Sequence, residues 1–152
     1  MDNSDCVYVA DWGNDRVQKF GTDGDYVSNF GGTTDEGGDL SHPSDVAVDS
    51  DGDVYVADWG NRRVQIYEPN GDPVTALYGD VDKFSKALYY AFSRNDGMAI
   101  RTANLGGDPP DGQRRFQRPI AIEVDAQDRV IIADLMGRLL VYVKDRDYVA
   151  PS

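Results

Sequence analysis

The sequence predicts an all-β fold, a β-propeller with about three four-stranded blades and a helical insertion, and three observations predict it. Residues 7–18 read VYVADWGNDRVQ and residues 54–65 read VYVADWGNRRVQ, differing at one position across an offset of 47. A third, more diverged copy starts at Val130 as VIIADLMGRLLVY, with Asp134 in the place of Asp58. Finally, the apolar residues of the second copy, Val54, Val56, Val64 and Ile66, fall on both faces of their strands. One neighbour cannot bury both faces. Stacking sheets side by side around an axis gives each face a partner.

The second copy is complete and sets the template. Residues 45–49 (DVAVD) form strand a, and Ser50-Asp51-Gly52 is a hairpin turn, because Asp-Gly tolerates the positive φ such turns need. Residues 53–58 (DVYVAD) form strand b, Trp59-Gly60-Asn61 turns the chain, and residues 62–67 (RRVQIY) form strand c. Pro69-Asn70-Gly71-Asp72 makes a further turn into strand d, residues 73–78 (PVTALY). Short runs rich in β-branched and aromatic residues, separated by Gly-containing turns, make an antiparallel meander.

The same template divides the whole chain. Residues 1–32 hold blade one without its strand a, 43–79 hold blade two, 80–113 an insertion, and 118–152 blade three with a shortened strand d starting near Tyr148. Propellers close with about four to eight blades. The expectation is therefore a portion of a longer ring, or a homodimer in which half-propellers associate with themselves.

The insertion lies in the connection from strand d to strand a, which has 10 residues between Gly32 and Pro43 but 39 between Gly79 and Pro119. Val81, Phe84, Leu88, Ala91 and Phe92 recur at helical spacing, with Asp80 or Asp82 as a cap and Asn95-Asp96-Gly97 as a stop. Met98, Ile100 and Leu105 suggest a shorter second helix.

Composition narrows the function classes. Asp and Glu number 27 against 15 Lys and Arg, a formal net charge of −12. Binding to nucleic acid draws on basic residues at phosphates, and anionic membranes attract basic segments, so nucleic acid is an unlikely partner and no membrane role is expected. No apolar run reaches the roughly 18 residues of a membrane helix. The start of the chain lacks the charged-then-apolar pattern of a secretory signal, which leaves the compartment unknown. Cys6 is the single cysteine, so no internal disulfide forms; at the start of a strand b it reads as core.

The pattern P-x-D-V-A-V-D … G-D-V-Y-V-A-D-x-x-N-x-R-V-Q-x-Y, met almost letter for letter from Pro43 to Tyr67, resembles the NHL repeat. The resemblance implies a propeller, commonly six-bladed. Its family roles include protein and RNA recognition and a metal-dependent lyase that cleaves peptidyl-hydroxyglycine. The insertion and the RFQRP run after it look most like uncharacterised bacterial members. Fold does not by itself imply function.

Candidate site residues follow from topology. Strands alternate in direction, so b–c turns and d–a connections share one end of the blades. That end carries Trp12, Asn14, Trp59 and Asn61 from the turns, His42 before strand a, and the Arg114-Arg115-Phe116 run. Loops on a rigid scaffold commonly carry binding, and tryptophans there suit partner anchoring, with inter-blade packing as the plainer reading. Asp11, Asp58 and Asp134 end strand b in every copy and are expected to accept backbone N–H groups of their own b–c turns. Arg16, Arg63 and Arg138 repeat beside them as salt-bridge partners.

Asp49-Ser50-Asp51-Gly52-Asp53 superficially resembles a calcium loop, but its glycine comes too early and the later glutamate is absent, so it reads as a hairpin. Asp45, Asp49, Glu123 and Asp125 could still gather around Ca²⁺ on the axis, a minor reading. The lyase reading, which the resemblance raises, needs several histidines around a metal such as Zn²⁺, and His42 is the only one here. No Ser/His/Asp or Cys/His set is present. The expected function is a non-catalytic scaffold that binds a protein or another macromolecule through the b–c/d–a face. A metal-dependent enzyme at the channel mouth and RNA binding are the alternatives.

Overall fold

The computed structural model describes residues 2, 4–32, 38–79 and 115–144. The insertion helices, Arg114 and the strand expected near Tyr148 lie outside the described residues. The chain folds into three antiparallel sheets with strands in consecutive order. The first holds β1 (Val7–Asp11), β2 (Arg16–Phe20) and β3 (Tyr26–Phe30); the second, β4 (Pro43–Val48), β5 (Val54–Asp58), β6 (Arg63–Tyr67) and β7 (Pro73–Leu77); the third, β8 (Pro119–Val124), β9 (Arg129–Asp134) and β10 (Arg138–Val143). Among the described residues the helical element is a 3₁₀ turn, Trp12–Asn14, at the first of the predicted turns.

Register explains why the repeat looks as it does. In the second sheet Val54 pairs with Tyr67, Val56 with Gln65, Tyr55 with Ile66 and Ala57 with Val64. Alternation then puts Val54, Val56 and Tyr67 on one face and Tyr55, Ala57 and Val64 on the other. The first face packs with Val17, Phe30 and Leu40 into one core, joined at its edge by Tyr8 and Ala10. The second packs with Phe116, Ile122, Val130, Ile132 and Leu140 of the third sheet into another. All five residues of β5 are buried, as a strand sandwiched between two neighbours requires. These sheets are thus stacked blades, each inner face covered by the next.

One local device recurs with the blades. Asp49 Oδ1 accepts the backbone N–H groups of Asp51 and Asp53, both at 3.0 Å, and Oδ2 accepts Tyr55 Oη at 3.0 Å. Asp125 does the same for Gln127 and Arg129, and Asp2 for Ser4 and Cys6. The would-be calcium loop is thus a carboxylate-closed hairpin. Its cationic partner is Lys144, whose Nζ lies 2.9, 2.8 and 2.7 Å from Asp49, Asp51 and Asp53. Burial alone would lower the Lys144 value, but hydrogen bonds to the three carboxylates outweigh it and hold the ammonium above the ordinary lysine range. The link spans from the third blade to the second, as does Ser50, which donates through N and Oγ to Asp128. Asp45 is also engaged: Oδ2 accepts Ile122 N–H across the blade junction at 2.9 Å. Cys6 precedes β1 and is half-buried rather than a core residue.

Tyr67 and Tyr55 are buried with their hydroxyls bonded to Gly38 O and Asp49. Burial, reinforced by the charges of Asp58 and Asp49 respectively, raises both phenols above the ordinary tyrosine value of 10.0. The unfolded chain releases these protons near pH ~10 while the folded chain keeps them, so stability is full below that pH and falls above it. Ultraviolet-difference titration should find that Tyr55 and Tyr67 ionise only as the fold is lost. Tyr67→Phe should lose stability less steeply than the parent above pH ~10; equal slopes would sink the assignment.

Candidate functional site: the turn face of the blades

The end of strand b organises this face. The Asp58 side chain is fully buried at the end of β5. Its Oδ1 accepts Ser41 N–H at 2.8 Å; its Oδ2 accepts Asn61 Nδ2 at 2.9 Å and Arg63 Nε at 2.8 Å. Arg63 Nη2 and Asn61 Nδ2 then reach Asp39 O at 2.6 and 3.1 Å. The third blade repeats the arrangement: Asp134 accepts Arg118 N–H at 2.7 Å, Gln117 N–H at 3.3 Å and Arg138 Nη2 at 2.8 Å, and Arg138 Nη2 reaches Arg115 O.

This corrects the expected role of Asp58 and Asp134. Their backbone donors come from the segment entering strand a, not from their own b–c turn, so each carboxylate staples strand b to the start of its own blade. Asp11 bonds only Asn14 Nδ2 and Arg16 Nε among the described residues, at 2.9 and 3.0 Å, and is more open. Those two donors, Asn14 first, hold its carboxyl below the ordinary aspartate value. The D-x-x-N-x-R spacing of the first two blades therefore encodes one carboxylate, fully buried at Asp58 and more open at Asp11, with a side-chain amide and a guanidinium folded back onto it. Arg16, Arg63 and Arg138 pair as expected.

Turn geometry needs one left-handed residue before strand c: Asp15 (φ 53°), Arg62 (φ 57°) and Gly137 (φ 73°) occupy it. Gly60 serves another purpose. A Cβ there would lie 2.3 Å from Ser41 Oγ and 2.7 Å from Ser41 O, the acceptor of the Gly60 N–H. Only glycine lets the entering segment approach so closely.

Above this base lies a strip of rings and cations that runs across the blade junctions. Trp12 and Trp59 approach to 5.0 Å between ring centroids. His42 sits edge-on to Trp12 at 5.1 Å and to Trp59 at 6.4 Å. Its backbone N–H donates to Asp15 Oδ1 at 2.7 Å, which anchors a left-handed conformation with φ 52°. The Arg118 guanidinium lies 3.7 Å from the Trp59 ring centroid and donates to Trp59 O at 3.1 Å. One rule covers both contacts: the side chain before the strand-a proline (His42 before Pro43, Arg118 before Pro119) packs against the tryptophan of the preceding blade. Trp12 remains 43% exposed, and half of His42 faces solvent. The expected tryptophans thus both pack between blades and present ring surface.

Other expected residues fall elsewhere. Phe116 is not on the surface: it is buried in the core between the second and third blades, with its N–H on Tyr78 O at 2.8 Å. The RFQRP run is apolar at Phe116 because it covers a blade junction there. Asn61 is taken up by Asp58, and Asn14 by Asp11. Arg115 is exposed, and its carbonyl accepts Arg138. Arg118 and Arg62 were not anticipated as site residues. The signal for Arg118 was its alignment with His42 before a strand-a proline.

Asp58→Ala should cost about 3–5 kcal/mol in urea denaturation, because it strands the Arg63 guanidinium and the Ser41 N–H. Asp11→Ala, at an open carboxylate, should cost clearly less; equal losses would count against the staple.

Comparison with known proteins agrees with this architecture. The NHL-repeat family model matches residues 40–67. No curated protein matches the sequence. A structural-genomics protein of unknown function from Bacteroides thetaiotaomicron aligns with a TM-score of 0.55 at 20% identity, over 88% of this chain and 31% of that one. A catalytically inactive histidine-to-alanine variant of virginiamycin B lyase from Staphylococcus aureus, with quinupristin, aligns at 0.50 and 12% identity, over 93% and 39%. At such identities the likeness speaks to fold, and this chain spans well under half of either structure. The chain therefore carries an NHL repeat over residues 40–67, set among stacked antiparallel sheets of the β-propeller fold.

Proposed function

We propose that this NHL-repeat unit is a non-catalytic binding scaffold that recognises a protein partner through the b–c/d–a face. The observation that carries the reading is the strip formed by Trp12, His42, Trp59 and Arg118, with the exposed Arg62 beside it. Tryptophan and arginine are the residues most enriched at the energetic centres of protein interfaces. Here they are held in place by neighbouring blades and by the Asp58 and Asp134 staples, so little side-chain freedom is lost on binding.

The carboxylates beneath the strip support binding over acid–base chemistry. Both oxygens of Asp58 and of Asp134 are engaged with backbone amides and guanidinium groups. A lyase of the metal-dependent kind would have to build its site around His42, whose Nδ1 is 3.2 Å from Ser41 Oγ and 3.7 Å from Asp15. The net charge of −12 disfavours an RNA ligand.

Selection of a random-peptide phage library on the immobilised chain tests this reading. The wild type should enrich a consensus peptide, and Trp12→Ala and Trp59→Ala should each weaken its binding by tenfold or more, about 1.4 kcal/mol. Circular dichroism of the variants separates loss of the strip from loss of the fold. Absence of enrichment, or binding untouched in both folded variants, would remove the proposal.

A further inference from the structure

On the reading that the turn face binds a protein, we propose that the partner presents an acidic side chain, held by Arg62 and Arg118 at the junction of the second and third blades. The two blade junctions are built on equivalent residues, and the charge at those residues inverts from one junction to the other. The left-handed residue before strand c is Asp15 at the first junction and Arg62 at the second. The residue before the strand-a proline is His42 at the first and Arg118 at the second. The residue whose carbonyl accepts the strand-c arginine is Asp39 in the second blade and Arg115 in the third. Two carboxylates and an imidazole at one junction are thus replaced by three guanidinium groups at the next.

The first junction answers its own charge. Asp15 Oδ1 accepts the His42 N–H at 2.7 Å and lies 3.7 Å from His42 Nδ1. By equivalence, Arg62 and Arg118 face one spot at the second junction, where both partners are cations. Arg62 is exposed, and the buried carboxylates beneath it, Asp58 and Asp134, are already paired with Arg63 and Arg138. Arg118 is held over the Trp59 ring, with Nη1 on Trp59 O. That packing fixes its guanidinium, whose other N–H groups suit a carboxylate, which can accept two of them side by side. Like charges set together repel, and an incoming anion turns that repulsion into attraction.

The formal net charge of −12 does not oppose this. Asp49, Asp51, Asp53, Asp125 and Asp128 belong to the a–b turns, at the far end of the strands. Strands of five or six residues put those turns roughly 17–20 Å away. The screening length at physiological salt is about 8 Å. A carboxylate arriving at Trp59 therefore meets the arginines and hardly feels the distant aspartates. A patch of this size suits an acidic side chain or two of a peptide; RNA draws its affinity from a longer series of phosphate contacts.

An array of random-sequence peptides, probed with the full chain, tests the proposal. Bound peptides should be richer in Asp and Glu than the array as a whole, and their binding should weaken as salt is raised. Arg62→Asp gives the second junction the residue of the first, and aspartate already adopts this left-handed conformation at Asp15. The variant should keep its circular dichroism and bind the acidic peptides at least tenfold more weakly. Bound peptides with no acidic preference, or with equal affinity for wild type and Arg62→Asp, would overturn this proposal and leave the binding scaffold standing. Absence of any bound peptide would remove both. Arg62-dependent binding of an oligoribonucleotide in place of acidic peptides would assign the arginines to phosphates, and would likewise overturn it.

Discussion

Everything in this molecule depends on a sheet that is apolar on both faces. A strand such as β5, with valines on one side and Tyr55 and Ala57 on the other, has no side to give to water. Burying an apolar side chain contributes about 1.5–3 kcal/mol, and a blade standing alone would forgo that on both faces. Stacking is the response, and it makes each blade's order conditional on the next. The two separate cores are its signature: they share the second blade but no residue, as expected when contacts run only between neighbours.

Polar chemistry sits at the ends of the strands, where it works without competing with that stacking. At one end Asp2, Asp49 and Asp125 close hairpins; at the other, Asp58 and Asp134 staple the entry of strand a to the exit of strand b. Buried carboxylates are costly unless every oxygen is satisfied. Asp58 is satisfied by a backbone amide, a side-chain amide and a guanidinium, and Asp134 by two backbone amides and a guanidinium, which accounts for an arginine shortly after each aspartate. The staples also set the height at which His42 and Arg118 emerge, so that each lands on the tryptophan of the blade before it. Core packing and the ring-and-cation strip are therefore mechanically joined: a blade that slid against its neighbour would unstack Trp12, His42, Trp59 and Arg118.

The third blade departs from this plan in a way that its sequence announces. Leu135 and Met136 stand where the others carry Trp-Gly, and both are exposed. The strip accordingly stops at Arg118, and the turn beyond it offers flexible apolar side chains instead of a tryptophan ring. The deletion of one residue in that turn is absorbed by Gly137, which takes the left-handed conformation held by Asp15 and Arg62 in the other two.

Much of this was readable in the amino-acid order alone. Recurrence at a fixed offset, alternation of apolar residues and turn chemistry determined the three sheets and their strand sequence to within a residue or two, because those properties are local and periodic. The location of Trp12, Trp59 and His42 at one end followed from strand alternation. The partners of Asp58 and Asp134 could not be read, since Ser41, Gln117 and Arg118 lie 16 or 17 positions away and only the closed blade brings them into reach. Nor could the burial of Phe116, or the Lys144 ammonium among Asp49, Asp51 and Asp53, more than 90 positions distant. Hydrogen bonds and side-chain packing act over a few ångströms, so which distant residues share them is decided by tertiary structure and by nothing shorter in range.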